Sequence, residues 1–312
     1  MQLPRLTPLG ALALAVPGIW FAPPGFAQAP SESNDGAAWS AFISPAYQFD
    51  ADTDGGNELQ VDRLSLGISR QGSIGSRFRS NIALQYEFQD WEFGNAGAFG
   101  GTGPWDEPWD ELHRVTVSAR IARPLNNGWE ISGGPIVEFA GEDGASTGDS
   151  LVYGGMVSAV RRISPDLTLG FGATVKREIE KTRISPILIV SWQINDRLWL
   201  RNALPNAPTG PAGLELAYRV TDQWEFAGGG GFRRVRFRLD EDGPSAGGVG
   251  ESRSFPVFAR ATRALGESAA LSIYAGAVLG GELRLDDAED ERLDEDDYDP
   301  APIVALALSR RF

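Results

Sequence analysis

The sequence feature that most constrains the fold is an alternation of apolar and polar residues with a period of two. It is clearest in the last eleven residues, Pro302 to Phe312, where Val304, Leu306 and Leu308 alternate with smaller or polar residues before a terminal phenylalanine. This period is typical of a β-strand, whose successive side chains point to opposite faces. Segments with the same pattern recur along the chain and predict about 14 antiparallel strands, with about 12 or 16 as alternatives.

The connections between these segments alternate in length. Long connections rich in acidic residues, or in glycine and proline, separate short turns that carry the residues typical of hairpins. The short turns are Leu125 to Gly128, Ser164 to Asp166, Asn195-Asp196, Thr221-Asp222 and Gly266-Glu267. Short turns at one rim and long loops at the other favour a closed transmembrane β-barrel over a soluble sandwich or propeller. The strand number should then be even, with both chain ends at the short-turn rim.

The acidic residues are concentrated in five of the connections. The windows 50–60, 90–111, 141–150, 240–253 and 286–299 hold 27 of the 42 acidic residues and only two of the 28 basic ones, Arg253 and Arg292. Loops with this charge argue against nucleic-acid binding. Cysteine is absent, so an exported chain of this composition depends on hydrogen bonds and burial for its stability. Beyond residue 27 the sequence has no apolar run of the length that a membrane helix needs, which excludes a helical inner-membrane protein.

The final strand resembles the end of Gram-negative outer-membrane β-barrels, which close on a terminal aromatic residue. Arg310 departs from that pattern, since the family usually has another apolar or aromatic residue there. The resemblance to monomeric porins and porin-like barrels implies residence in the cell outer membrane. It also implies contact with outer-membrane lipid and lipopolysaccharide, and recognition by the barrel-assembly machinery through the strand ending in Phe312.

The N-terminus has the pattern of a signal peptide. Arg5 precedes an apolar stretch from Leu9 to Phe21, and Gly25-Phe26-Ala27 places small residues where a signal peptidase reads them. We therefore expect a signal peptide at 1–27, a short periplasmic segment at 28–38 and a barrel at 39–312.

The polar face of each strand should line the lumen. Small and charged residues on one wall favour a water-filled pore, while Arg–Glu pairs that close the interior are the alternative. The predicted pore-lining residues are Arg114, Arg120, Glu130, Glu138, Glu215, Arg219, Arg234, Arg236, Arg238, Glu282 and Arg284.

Arg234, Arg236 and Arg238 form the sharpest charge cluster. Facing the lumen, they would favour anions; facing outward, they would bind lipopolysaccharide phosphates; a third reading has them neutralise Asp240 to Asp242. Keeping Phe226 and Phe237 both on the lipid side would require a slip of one residue, which Gly228 to Gly231 could host as a bulge.

Two long connections have candidate roles. The segment from Phe93 to Trp109 resembles the porin loop that folds into the channel, which makes Phe99, Trp105 and Trp109 candidates for a constriction; a plain exposed loop is the alternative. The run Asp286 to Asp299 offers carboxylates for divalent cations. It lacks the spacing of a calcium loop, so a solvated loop is favoured.

No cofactor, metal site or catalytic group is expected. His113 is the only histidine, and Val115 stands where outer-membrane lipases have a serine. The predicted function is passive diffusion of small hydrophilic solutes, with a weak preference for anions. The alternatives are a non-conducting structural or surface-contact barrel and, third, a lipid-modifying or proteolytic barrel that uses His113.

Overall fold

A computed structural model describes residues 38–94, 99, 107–179, 181–208 and 213–312 of the chain. The expected signal peptide and residues 28–37 of the expected periplasmic segment lie outside the described residues. The first strand begins at Ala38.

Sixteen β-strands account for most of the described chain. They are β1 (Ala38–Asp52), β2 (Glu58–Ile74), β3 (Phe78–Gly94), β4 (Glu111–Pro124), β5 (Trp129–Glu142), β6 (Leu151–Arg162), β7 (Leu167–Arg177), β8 (Thr182–Asn195), β9 (Leu198–Asn202), β10 (Gly213–Arg219), β11 (Trp224–Gly231), β12 (Arg233–Arg238), β13 (Val249–Leu265), β14 (Ala269–Asp286), β15 (Arg292–Tyr298) and β16 (Ala301–Arg311). One turn of 3-10 helix, Asn126–Gly128, joins β4 to β5. No helix among the described residues is long and apolar enough to cross a membrane.

The strands form one closed antiparallel barrel. Neighbours in sequence pair as hairpins, and β1 pairs with β16 to close the ring. Both β11 and β12 pair with β13, so β11 and β12 together form one barrel strand. In the same way, β15 and β16 both pair with β14 and together form one barrel strand. The barrel therefore has 14 strands, and the start of β1 and the end of β16 both lie at the short-turn rim, as predicted.

The outward face of the wall is apolar. Large aliphatic and aromatic side chains that should be buried in a soluble protein are exposed around the whole circumference. Examples are Ile43, Ile68, Ile82, Val117, Val137, Val157, Phe171, Ile184, Leu216, Phe226, Val257, Ile273 and Leu306. A closed sheet satisfies all its backbone groups internally, and an apolar belt of this kind needs lipid around it. The chain is a transmembrane barrel of the outer-membrane type, and the predicted fold class is confirmed.

Four adjacent barrel strands bend at the same height. The break between β11 and β12 falls at Phe232, the register of β13 shifts between Arg253 and Phe255, and Gly280 of β14 adopts a φ of 55°, which glycine adopts without strain. Residues 299 and 300 separate β15 from β16 at the fourth strand. Irregularities of this type bend a sheet and increase its twist. The parts of the four strands beyond this line fold towards the opposite wall.

We call this folded portion the crown sheet; it comprises β12, residues 249–254 of β13, 281–286 of β14, and β15. Its free edge meets the far wall in one parallel bridge between Arg238 and Gly141 of β5. One face of the crown sheet packs on the inner face of β1 to β5 and forms the largest apolar core. That core includes Leu59, Val61, Trp91, Phe99, Trp109, Leu112, Ala140, Val235, Phe237, Leu283, Leu285 and Tyr298.

The slip expected at Gly228 to Gly231 is wrong. Phe237 does not face lipid: it is 1% exposed and packs edge-on against Trp109 at a ring-centroid distance of 5.3 Å. Glu225 faces the lumen, and strict alternation of side chains along β11 and β12 places Phe237 on the same face. Beyond the bend at Phe232, this face of the crown sheet packs into the apolar core.

Candidate functional site

The lumen below the crown sheet contains two clusters of buried ion pairs. In the first, Arg201 of β9 and Arg260 of β13 bind two carboxylates of β10 and β11. Arg201 Nε lies 2.8 Å from Glu215 Oε1, and Arg201 Nη2 lies 2.6 Å from Glu225 Oε1. Arg260 Nη2 lies 2.8 Å and 2.9 Å from the same two oxygens. The side chains of Glu215 and Arg260 are fully buried, so the low local dielectric strengthens these pairs.

The second cluster follows the inner face of β3 to β7. Glu138 pairs with Arg114 at 2.9 Å and with Lys176 at 3.3 Å. Glu87 of β3 accepts a bond of 2.6 Å from Arg233, the first residue of the crown sheet. This cluster therefore ties the base of the crown sheet to the lumen wall.

A smaller group of charges lies near the short-turn rim. Glu130 pairs with Arg79 and lies 3.9 Å from Arg120, and the Arg79 side chain is 63% exposed. Arg219 stacks on the ring of Trp199, with 4.4 Å between its guanidinium carbon and the ring centroid. These contacts place Arg120, Glu130 and Arg219 on the lumen side of the wall.

Several polar atoms of the lumen wall are buried without a hydrogen-bond partner in the described part of the protein. They are Nε of Arg63, Nδ2 of Asn81, Oε1 of Gln89, Nε of Arg114 and Nε of Arg219. Buried polar groups in native proteins are almost always bonded, to ordered water when the protein supplies nothing. These atoms of the lumen wall therefore favour a hydrated lumen.

One loop crosses the lumen at mid-height. The five residues of β9 are too few to cross the apolar belt, so the chain leaves the wall inside the barrel. The Asn206 carbonyl accepts a bond of 3.1 Å from Ser44 of β1, and Asn206 Oδ1 accepts one of 3.3 Å from Tyr274 of β14. Ala203 and Ala207 pack in a small core with Phe258 and Tyr274. Residues 203–208 thus narrow the lumen, and 209–212 lie outside the described residues.

Two of the three predicted constriction residues lie inside the upper barrel, and their role as a constriction stays a prediction. Phe99 and Trp109 are 3% and 1% exposed, and their rings stack edge-on at 5.5 Å within the crown core. Trp105 lies outside the described residues. Phe99 and Trp109 therefore belong to an apolar core in the upper barrel, while the loop at mid-height is the one after β9.

The predicted arginine ladder is neutralised by acids on the other face of the crown sheet. Arg234 pairs with Glu178 at 2.7 Å and with Glu251 at 2.5 Å. Arg236 pairs with Glu251 at 3.2 Å, with Asp286 at 2.9 Å and with Asp290. Arg238 donates a bond of 2.8 Å to the Gly247 carbonyl. The three arginines are buried in or beside this network, and a role for them in lining a solute path stays a prediction.

Glu282 and Arg284 belong to the same side of the crown sheet. Glu282 pairs with Arg253 at 2.8 Å, and Arg284 pairs with Asp286 at 2.5 Å. The acidic run beyond them is not simply a solvated loop, because Arg292–Tyr298 is β15 and pairs with residues 281–286. Main-chain hydrogen bonds stabilise this strand although its side chains lack apolar alternation.

Several carboxylates of the acidic run already bind groups of the protein. Asp296 accepts hydrogen bonds from the Gly55 amide, and Asp290 pairs with Lys181 at 3.4 Å. Burial opposes ionisation of Asp290, but the charges of Arg236 and Lys181 outweigh it and lower the pKa of that carboxyl. Among the described residues no group of three or more His, Cys, Asp or Glu side chains is placed to hold a metal ion. Binding of divalent cations by this run stays a prediction.

His113 lies on the lipid-facing side of β4. Its Nδ1 is 2.9 Å from the Tyr86 hydroxyl, and its ring lies 5.3 Å from that of Phe88. Tyr86 and Phe88 are thus its described neighbours.

Sequence reasoning missed three features of the lumen. Arg201 was not identified although it binds two carboxylates, and Glu87 with Arg233 was not recognised as a contact between wall and crown. The third is the crossing loop, whose signal was the length of β9: a strand of five residues cannot span the membrane.

A family model covers more than half of the chain. The domain of unknown function DUF6268 matches residues 106–288. The chain belongs to this family. No curated protein sequence matches the chain.

Several solved outer-membrane proteins are similar to the chain in overall shape. An outer-membrane channel from Pseudomonas putida F1 is 10% identical, with a TM-score of 0.48 over 92% of this chain and 100% of that one. A Pseudomonas aeruginosa FadL homologue is 12% identical, with a TM-score of 0.46 over 88% and 89%. The Ralstonia pickettii toluene transporter TbuX is 10% identical, with a TM-score of 0.41 over 90% of each chain. Similarity of this degree carries no information about cargo.

The barrel itself determines the location of this DUF6268 protein. A closed ring of 14 antiparallel strands, an apolar belt and one rim of short turns are the architecture of outer-membrane proteins. The protein is located in the cell outer membrane.

Proposed function

We propose that this protein is an outer-membrane channel for small hydrophilic solutes, with a weak preference for anions. The observation that carries the proposal is the set of buried, unpartnered polar atoms on the lumen wall, on Arg63, Asn81 and Arg114 among others. A barrel filled only for stability would bury apolar side chains here, as the crown core does. Polar groups that need water favour a hydrated path.

The charge balance of the lumen supports the preference for anions. In the cluster on β2 to β7 and β12, four cations (Arg63, Arg114, Lys176 and Arg233) face two carboxylates (Glu87 and Glu138). In the cluster on β9 to β13, three cations (Arg201, Arg219 and Arg260) face two carboxylates (Glu215 and Glu225). A lumen with excess positive charge lowers the barrier for anions and raises it for cations.

The path is narrow at two heights. Residues 203–208 cross the lumen at mid-height, and the crown core fills the space above it. Both obstructions favour small solutes and low conductance. They also imply that a straight path to the cell exterior opens only when the crown sheet moves.

A non-conducting barrel is the second candidate. The observation that favours it is the crown core, an apolar plug that includes Trp91, Trp109 and Phe237. Catalysis by His113 forms no part of the proposal, because its ring faces the lipid side and bonds Tyr86.

Single-channel recording in planar bilayers tests the proposal. We expect small openings with a reversal potential on the anion side in a salt gradient, and a weaker anion preference in Arg63→Gln. The matched control is Arg177→Gln, which removes a charge at the exposed outer end of β7 and should leave selectivity unchanged.

A second variant separates the two candidates. Trp109→Ala loosens the plug and should increase the open probability of a channel. If both the wild type and Trp109→Ala are folded but silent, and vesicles containing them do not take up small sugars or anions, the channel is excluded in favour of the non-conducting barrel.

A further inference from the structure

Five arginines on the lipid-facing surface are each held against an aromatic ring at the short-turn rim. The distances from guanidinium carbon to ring centroid are 5.0 to 5.9 Å. The pairs are Arg70 with Trp39, Arg123 with Phe78, Arg161 with Trp129, Arg263 with Trp224, and Arg310 with Phe312. We call these ten residues the rim pairs.

The rim pairs follow from one recurring sequence arrangement. An aromatic residue lies at or next to the end of a strand, and the arginine lies on the lipid-facing side near the end of the neighbouring strand or, for Arg310, of the same strand. Trp39, Trp129 and Trp224 are directly opposite Arg70, Arg161 and Arg263 in the strand register. The rings are outward: Trp39 is 44% exposed and Phe312 is 66% exposed.

This arrangement also accounts for Arg310, which departs from the apolar pattern of the final strand. Arg310 lies opposite Ala269 at the start of β14, at the height of the other rim arginines. It replaces an apolar residue at a position where the neighbouring strands also present a cation. Arg310 therefore completes a ring of positive charge rather than breaking the barrel pattern.

The charge of the rim arginines is not neutralised by the protein. None of the five forms an ion pair within the described part of the chain, whereas four arginines of the lumen pair with carboxylates: Arg114, Arg201, Arg233 and Arg260. The acidic residues are concentrated at the opposite rim. Five cations remain available, with their guanidinium planes oriented by aromatic rings at the edge of the apolar belt.

We propose that the rim pairs bind the phosphate groups of anionic phospholipids in the periplasmic leaflet of the outer membrane. Guanidinium groups bind phosphate through paired hydrogen bonds and retain their charge at any physiological pH. The arginines face sideways, next to side chains that contact acyl chains, so a lipid headgroup reaches them directly. A soluble polyanion would have to approach along the membrane surface.

Lipid retention in nanodiscs of defined composition tests the proposal. The folded protein is placed in phosphatidylcholine alone or mixed with phosphatidylglycerol, and the phosphatidylglycerol retained on the protein is counted by native mass spectrometry. We expect the wild type to be enriched in phosphatidylglycerol, and each Arg→Gln change at a rim pair to reduce enrichment at its site about fivefold. Replacing all five arginines should abolish it.

Matched variants distinguish the contribution of charge to lipid binding from that of guanidinium–ring stacking, and from an effect of misfolding. Replacing all five arginines with lysine keeps the charge and should retain most of the enrichment. Arg177→Gln removes a charge at the other rim and should have no effect. If the variant lacking all five does not fold, the five single variants give the same comparison.

Two outcomes overturn the proposal. One is equal retention of phosphatidylglycerol by the wild type and by the folded glutamine variants. The other is displacement of phosphatidylglycerol from the wild type by polyphosphate at low concentration, which would assign the arginines to a soluble polyanion. Neither outcome depends on whether the barrel conducts.

Discussion

The lower and upper halves of this barrel are filled in opposite ways by the same strands. Below the bend, inward side chains are charged and paired, as Glu215 is with Arg201 and Arg260. Above it, inward side chains of β2 and β3 such as Leu59 and Trp91 pack against the crown sheet without charge. The lower half is lined by charged groups, whereas the core between the wall and the crown sheet in the upper half is apolar. The difference shows that the polarity of the inward side chains changes with height in the barrel, even along a single strand.

The largest expected effect is on the upper half. Trp109→Ala removes a ring that contacts Trp91, Phe93, Phe99 and Phe237, and we expect the free energy of unfolding to fall by about 4 kcal/mol. Denaturant unfolding in lipid vesicles measures it. Trp109→Phe should cost about 1 kcal/mol, since Nε1 of Trp109 has no described partner to lose. Equal costs for the two variants would contradict a tightly packed upper core.

A smaller effect is expected in the lower half. Arg260→Met leaves Glu215 and Glu225 with Arg201 as their described cation, and should cost about 3 kcal/mol in the same unfolding experiment. Adding Glu215→Gln should recover part of the loss, because it removes the uncompensated charge. If the double variant is less stable than the sum of the single variants, the buried charges are not coupled as the distances indicate.

The smallest change in the free energy of unfolding is expected at Asp290, at the boundary between the crown sheet and the loops. Ion pairing lowers the pKa of Asp290, so its stabilising contribution is complete above the unfolded pKa of about 4 and is lost as the pH falls through the lower folded value. Asp290→Asn should remove less than about 1 kcal/mol at neutral pH. Comparing the free energies of unfolding of wild type and variant at neutral pH and at a pH well below about 4 checks this, since the difference should vanish once Asp290 is protonated in the folded state.

Local patterns in the sequence predicted the wall of the barrel. Alternation of apolar residues and the length of connections depend on neighbours in the chain, so the 14 strands, the even number and the short-turn rim could be derived. The outward orientation of side chains on β3 and β7, such as Ile82 and Phe171, could be predicted from the alternation alone.

The crown sheet could not be predicted because it depends on contacts between distant segments. Phe232 and Gly280 lie far apart in the chain, and nothing in either sequence shows that their irregularities fall at one height. The acidic strand β15 was hidden for a related reason: its stability comes from main-chain pairing with β14, a distant segment of the crown sheet. The lumen residue Arg201 was missed because β9 was not recognised as too short to span the membrane.

The single bridge between Arg238 and Gly141 has a consequence for the order in which the barrel assembles. Nearly every other pairing joins strands adjacent along the chain and can form as a hairpin, whereas this bridge and the seam between β1 and β16 join segments about a hundred or more residues apart. Strands β1 and β16 can pair before the bridge between Arg238 and Gly141 forms. The bridge, in contrast, requires the curvature of the closed barrel, which brings β12 close to β5. Docking of the crown is therefore expected to be the final step of maturation and the first to reverse.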